Sequence, residues 1–325
     1  MVLRLTLMRA FILAGGFATR LWPLTEHRAK PLLPLAGEPI LSRITRALPQ
    51  NLCVTVSTND VFADAFHTWM QAEKPPHCTL HIEHTRNDSE KLGALGAVAQ
   101  WVTQEHVDDD LLLLTGDNVF PFSFSSFLQA FDGKAALVAV HDIGSLERAK
   151  EFGTVACDGN SKRIVAFEEK PVSPCSTLVS TGCSILPKVT LPTLCTFAAG
   201  HPDNIGGIFE ELLRQGHPLE AFRFAEPWFD IGSFDAYLAA TRSLVGNALI
   251  KAENARMEEV HTEGSVVIGK GSVVRTSTLI DTVVFKNCSI ENCTLTSCVI
   301  DDGCVLKGVD LDRKMLRRGT VLELP

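Results

Sequence analysis

The residues best placed for chemistry lie near the start of the chain. Phe11-Ile12-Leu13-Ala14 is an apolar run closed by Gly15-Gly16, and Thr19, Arg20 and Lys30 follow. A glycine turn after a buried strand lets backbone N–H groups approach phosphate oxygens closely. A guanidinium offers those oxygens a planar fork, and an ammonium a mobile point charge. Gly-Gly alone is an ordinary tight turn, but Thr19, Arg20 and Lys30 at this spacing point to a bound polyanion. The chain has neither G-x-G-x-x-G nor G-x-x-x-x-G-K-[ST], so this is not a Rossmann fingerprint or a P-loop. Asp117 lies just beyond the leucine run Leu111–Leu114. A carboxylate after a central buried strand is well placed for catalysis in an α/β sheet, although in isolation it also reads as a turn residue. Glu168-Glu169-Lys170, taken alone, reads as a solvated charge run.

These residues need a scaffold, and the first ~240 residues supply an α/β alternation of short apolar runs and helical patterns. Strands are expected at Phe11–Ala14, Leu52–Ser57, Leu80–Glu83, Leu111–Leu114 and Ala135–Val140. Helices are expected over Pro39–Leu48, Val61–Met70 and Tyr237–Leu244, with a Gly/Ala-rich turn entering another helix over Leu92–Val102. Four consecutive leucines suggest a strand buried on both faces. Past residue 245 the period changes. Ile268, Val274 and Ile280 are spaced by six, and Ile280, Phe285, Ile290, Leu295 and Ile300 by five. Such a recurrence means short strands and tight corners stacked coil on coil, a left-handed β-helix of a few coils. Cys288, Cys293 and Cys298 keep the period and are expected to stack as small core residues. The basic cluster Arg313, Lys314, Arg317 and Arg318 reads as solvated surface or a subunit interface. Glu210 and Glu211 read as solvent-facing.

Composition narrows the function. The 325 residues carry 30 Lys+Arg against 38 Asp+Glu, a net charge of −8, which speaks against a nucleic acid polymer or an anionic membrane as partner. No apolar run reaches the ~18–20 residues of a membrane span. Met1–Ala14 is interrupted by Arg9 and lacks a cleavage-site pattern, so it reads as the first strand, with residues 1–7 a possible extension. Ten cysteines without a single C-x-x-C fit buried thiols in a reducing compartment, and a cytoplasmic location is expected.

Gly15-Gly16-Phe17-Ala18-Thr19-Arg20-Leu21-Trp22-Pro23-Leu24-Thr25 followed by Lys30-Pro31 resembles the signature of sugar-1-phosphate nucleotidyltransferases, the NDP-sugar pyrophosphorylases. One fixed position departs, with Ala18 where Gly is usual. Further resemblances come in the family's order. Leu92-Gly93-Ala94-Leu95-Gly96-Ala97 is similar to the segment over the base and sugar, and Leu114-Thr115-Gly116-Asp117 to the strand end with a metal-binding Asp. Glu168-Glu169-Lys170-Pro171 is similar to the E-K-P segment, Ser180-Thr181-Gly182 to the T-G turn of the sugar pocket, and Trp228-Phe229-Asp230-Ile231-Gly232 to the W-x-D-I-G segment. The matches span roughly residues 9–245.

The resemblance implies a Rossmann-like mixed-sheet nucleotidyltransferase domain, GT-A-like, over residues 1–245 and a β-solenoid over 246–325, a tail found in part of the family. It implies transfer of a nucleotidyl group from a nucleoside triphosphate to a sugar-1-phosphate, with Mg²⁺ on Asp117 and Asp230. Leu13, Ala14, Gly15, Gly16, Thr19, Leu92, Gly93 and Gly116 would bind nucleotide. Glu169, Lys170, Thr181 and Gly182 would bind sugar phosphate, and Arg20, Lys30 and Lys170 would be catalytic. Gly116-Asp117-Asn118 with Val119-Phe120 resembles glucose-1-phosphate thymidylyltransferases, so dTTP or UTP with glucose-1-phosphate is expected. The alternative is mannose-1-phosphate guanylyl transfer, which Leu92-Gly93 with Gly96-Ala97 resembles. A non-catalytic scaffold is the reading from another class, but such relatives usually lack the Arg, Lys or Asp that this chain keeps. A homo-oligomer, with the tail as a structural element, is expected.

Overall fold

The computed structural model describes residues 8–16, 19–87 and 90–324. Ala18 and the possible extension 1–7 therefore lie outside the described residues. The chain divides into two compact units, one of residues 1–17 with 44–228 and one of residues 18–43 with 229–325.

The first unit is built on nine strands. They are β1 (Met8–Leu13), β2 (Cys53–Asn59), β3 (Cys78–Glu83), β4 (Asp110–Thr115), β5 (Ala136–Asp142), β6 (Gly153–Cys157), β7 (Ile164–Glu169), β8 (Leu178–Leu186) and β9 (Leu219–Phe224). The order is β7-β6-β8-β4-β1-β2-β3, with β5 also on β8 and β9 on β5. Strands β1, β2, β3 and β4 pair in parallel, whereas β8 runs antiparallel to β4 and β5. The expected mixed sheet is thus present. Leu111, Leu112 and Leu114 are fully buried and Leu113 nearly so, because β4 lies between β1 and β8 with a layer on either side. One layer joins Phe11, Leu111 and Leu113 to Leu95, Val98 and Trp101 of helix α1 (Ala94–Gln104). Two further helices, Leu191–Gly200 and Gly207–Arg214, contribute Leu194, Ile208 and Leu212 to the same cluster.

The second unit contains the solenoid. Val267 pairs in parallel with Val283, Val283 with Val299, and Val299 with Met315, so each coil takes sixteen residues and three short strands. The core positions are Ile268, Val274, Leu279, Val284, Ile290, Leu295, Ile300 and Leu306. Their cadence is six, five, five, and repeats. Two expected core residues are corrected: Leu279 and Val284 point inward where the five-residue period put Ile280 and Phe285. The corners explain the slip. Thr276, Asp281, Asn287, Asn292, Ser297 and Arg313 all have positive φ, so the chain turns there and fixes which neighbour faces in. Cys288, Cys293 and Cys298 follow three of these corners, Cys304 follows Gly303, which also has positive φ, and all four are buried in the coil core. Burial pushes the Cys298 thiol up from its ordinary value, the behaviour of a small core residue.

Candidate active site

In an open α/β sheet, ligands bind beyond the carboxyl ends of the strands. In the first unit the ends of β1, β3 and β4 frame a cleft of about 270 Å³. Leu13, Gly15, Gly16, Gly93, Thr115 and Asp117 line it, together with Glu83, Lys91, Ala94, Asp203 and Ile205. The glycine turn is anchored on both sides: Gly116 N–H donates to Leu13 O at 2.8 Å, and Asn59 Nδ2 donates to Gly15 O at 2.8 Å. A Cβ on Gly15 would lie 2.6 Å from Glu83 Oε1. A side chain there would have to push that carboxylate aside.

Gly93 has φ +78° and ψ 152°, a region that side-chain-bearing residues essentially avoid. A Cβ there would meet the Pro202 carbonyl carbon at 2.4 Å. The close approach lets Pro202 O accept from Leu95 N–H at 2.7 Å and Gly96 N–H at 3.0 Å. The start of α1 is therefore capped by backbone, and Gly93-Ala94 is held at the cleft wall.

Asp117 is oriented by a short chain of bonds. Asn118 Nδ2 donates to Asp117 Oδ1 at 2.9 Å and to Thr115 Oγ1 at 2.7 Å, while Asn118 Oδ1 accepts from Trp228 Nε1 at 2.8 Å. Farther along the same unit, Glu169 is set between two glycines. A Cβ on Gly206 or Gly153 would fall within 1.8 Å or 2.8 Å of Glu169 Oε2. The Glu169 N–H donates to Glu210 Oε1 at 2.7 Å, and Lys170 Nζ lies 3.8 Å from Glu169 Oε1. Burial pushes the Glu169 carboxyl up, with Lys170 pulling it back. Glu210 is exposed, as expected, and its carboxylate also braces this segment. Thr181 is buried and its hydroxyl donates to Ala139 O at 2.9 Å, within the sheet. Gly182 follows it on β8 with φ +73°.

Four expected residues, Thr19, Arg20, Lys30 and Asp230, belong to the second unit. Arg20 is exposed on a 3₁₀ turn, Thr19–Leu21. Lys30 opens a second one, Lys30–Leu32. The Lys30 side chain is 13% exposed, and its Nζ lies 3.8 Å from Asp230 Oδ1. Two residues far apart in sequence, Lys30 and Asp230, are thus brought together.

Sequence reasoning missed Glu83. It ends β3, is buried, and presents its carboxyl to the cleft beside Gly15. Burial raises its pKa, against a lowering by the Ser57 hydroxyl. The folded protein therefore binds this proton more tightly than the unfolded chain does. Stability is lost as pH rises from the ordinary value of 4.5 through the raised one. Glu83→Gln has no such loss. Its stability relative to the parent should rise across that window, as thermal melts at successive pH values would show.

A family model described as Nucleotidyl transferase matches residues 9–246. The chain belongs to the nucleotidyl transferase family. As a nucleotidyl transferase it is 25% identical over 82% of its length to the Bifunctional protein GlmU of Methanococcus aeolicus. It is 23% identical over 84% of its length to a Sulfolobus acidocaldarius protein assigned as a mannose-1-phosphate guanyltransferase, covering 76% of that protein. The chain spans about three-fifths of the GlmU relative, 62%. A Bacillus anthracis crystal structure, assigned as a glucose-1-phosphate thymidylyltransferase in complex with a sucrose, shares the fold. Its TM-score is 0.63 at 21% identity, covering 72% of this chain and 94% of that one. The family match covers residues 9–246, and the stacked parallel strands that follow fit a left-handed β-helix.

Hard oxygen donors suit a divalent metal. Among the described residues no cluster of three or more His, Cys, Asp and Glu could hold an ion by itself. Mg²⁺ rarely needs such a cage, since it binds through one or two carboxylates and substrate phosphates. Asp117 and Asp230 fit that donor chemistry. No helix among the described residues is long and apolar enough to cross a membrane.

Proposed function

We propose that the chain forms an NDP-sugar and pyrophosphate from a nucleoside triphosphate and a sugar-1-phosphate, and that the preferred base is guanine. The reaction is an in-line displacement. A sugar-phosphate oxygen forms a bond to the α-phosphorus as the bond to the leaving pyrophosphate breaks. The nucleophile is already ionised near neutral pH, so the protein's task is to assemble two polyanions and neutralise them. The amides of Gly15 and Gly16 and the cations Arg20 and Lys30 stabilise the triphosphate. Lys170 holds the sugar phosphate, and Glu169 accepts from sugar hydroxyls. Mg²⁺ held by Asp117 and Asp230 would supply charge neutralisation on the phosphates.

The observation that supports transfer is the cleft at the ends of β1 and β4, in which a glycine turn faces Asp117. The observation that favours guanine is Glu83 in the same cleft, beside the Gly93 segment that resembles the cover over the base. Two carboxylate oxygens match the adjacent N1–H and N2–H donors of guanine. Thymine and uracil present one N–H between two acceptors. A bidentate base contact is worth about 1–3 kcal/mol of discrimination, or roughly 10–100-fold. Glu83→Gln should therefore lower kcat/KM with GTP by about that factor and raise the relative use of UTP and dTTP. The thymidylyl or uridylyl reading from Gly116-Asp117-Asn118 would instead predict a parent that prefers dTTP or UTP, which a comparison of the three nucleotides decides.

A further inference from the structure

The segment that carries Arg20 and Lys30 has little regular structure, only two 3₁₀ turns and a two-residue strand before residue 36. It is nonetheless tied to the solenoid at a defined place. Arg28, two residues before Lys30, donates from Nη1 to Asp301 Oδ1 at 3.1 Å and from Nη2 to Asp302 Oδ2 at 2.5 Å. Its guanidinium lies 5.1 Å from the centre of the Phe285 ring. Phe285 is therefore the floor under Arg28 rather than part of the coil core.

The two acids are themselves fixed by solenoid backbone. Asp302 N–H donates to Asp301 Oδ1 at 2.7 Å, and Lys286 N–H donates to Asp302 Oδ1 at 2.9 Å. Stacking of the coils places Asp301 level with Phe285 below and Arg317 above, one coil apart. Arg317 reaches back to Glu26, a second tie to the same segment. Asp301 is 4% exposed. A buried carboxylate is tolerated only with its cation in place, so the pairing is specific.

We propose that Arg28 is a positioning residue for nucleotidyl transfer: through Asp301 and Asp302 the solenoid holds the segment that presents Arg20 and Lys30 to the triphosphate. The inference rests on the phosphate-binding roles given above to Arg20 and Lys30. It assigns the solenoid a part in the reaction. A displacement of about 1 Å in a catalytic group costs on the order of 10²-fold in rate. One lost fork of charge-assisted bonds is enough to allow it.

The test compares the parent with Arg28→Ala, Arg28→Lys and Asp302→Asn. Steady-state kinetics use the pair, from GTP, UTP or dTTP with glucose-1-phosphate or mannose-1-phosphate, that the parent turns over fastest with Mg²⁺. Amide hydrogen exchange is followed without substrate. In Arg28→Ala, kcat should fall about 10–100-fold while the KM for sugar-1-phosphate holds. Exchange should quicken over residues 19–33 and stay unchanged in the solenoid strands. Arg28→Lys keeps the charge without the fork and should recover part of the rate. Parental kcat and parental exchange in Arg28→Ala would overturn the proposal. Should that variant not fold, Arg28→Lys and Asp302→Asn decide by the same two readouts, since each retains a cation beside Asp301. An inactive parent overturns the transfer reading itself, and the exchange measurement separates that failure from a failure of the tether.

Discussion

Asp117→Ala should lower Mg²⁺-dependent turnover by at least about 10³-fold, because metal neutralisation of transferring phosphates is worth several kcal/mol and each 1.36 kcal/mol is tenfold. The fold should survive. Asp117 lies at the cleft past the end of β4, where it accepts from Asn118 Nδ2. Losing such a bond costs about 1 kcal/mol, a shift of roughly 2–4 °C in melting temperature. Asp117→Asn keeps the shape and removes the charge. It should be nearly as inactive, with Asn118, Thr115 and Trp228 still placed as they are. Near-parental turnover in either variant, at saturating Mg²⁺, would remove Asp117 from the metal site.

Lys30→Ala is the second large effect. An ammonium aimed at charge that develops on a phosphate is a preorganised electrostatic group, and removing one such group costs about 10²–10³ in kcat. Its side chain is only 13% exposed, with Asp230 Oδ1 3.8 Å away, so little water can take its place. The loss should fall mainly on kcat, since in the proposed reaction Arg20 and the glycine amides would still bind the triphosphate. Lys30→Arg should not restore the rate, because a planar fork cannot occupy the place of a point charge. A loss confined to the KM for nucleotide would make Lys30 a ground-state binding residue instead.

Much of this was legible in the chain. Leu111–Leu114 announced a central strand, and β4 lies between β1 and β8 in the sheet. Gly15-Gly16 and Asp117 were readable as a pair of strand ends, and they line one cleft. What escaped depends on neighbours that only the fold supplies. Glu83 is an ordinary strand-end acid until β2 and β1 place it against Gly15. Glu210 meets the Glu169 amide across 41 positions, and Arg28 meets Asp301 across 273. No local period encodes either. The solenoid shows a subtler loss. Leu279-Ile280 and Val284-Phe285 are each two apolar residues in a row, so a count of spacings cannot choose between them. The left-handed corners at Asp281 and Asn287 make the choice. The basic tail cluster is likewise partly spent inside the molecule, with Arg313 paired to Asp235 at 2.6 Å and Arg317 to Glu26.

The tie between Arg28 and the solenoid also changes how the molecule divides. By composition the tail begins near residue 246, yet residues 18–43 and 229–245 belong to the same compact unit as the coils. Helix Phe234–Val245 shows why: Arg242 pairs with Asp281 at 3.1 Å, and Tyr237 donates its hydroxyl to Pro34 O. The cations and the carboxylate at Asp230 thus sit on segments fastened to the β-helix.

The most direct test is a pyrophosphate-release assay with Mg²⁺ over GTP, UTP, dTTP, ATP and CTP, each with glucose-1-phosphate and mannose-1-phosphate. Release of one pyrophosphate per NDP-sugar formed, strictly dependent on both substrates and the metal and fastest with GTP, is the predicted result. No pyrophosphate with any pair, from folded protein, would contradict nucleotidyl transfer by this chain.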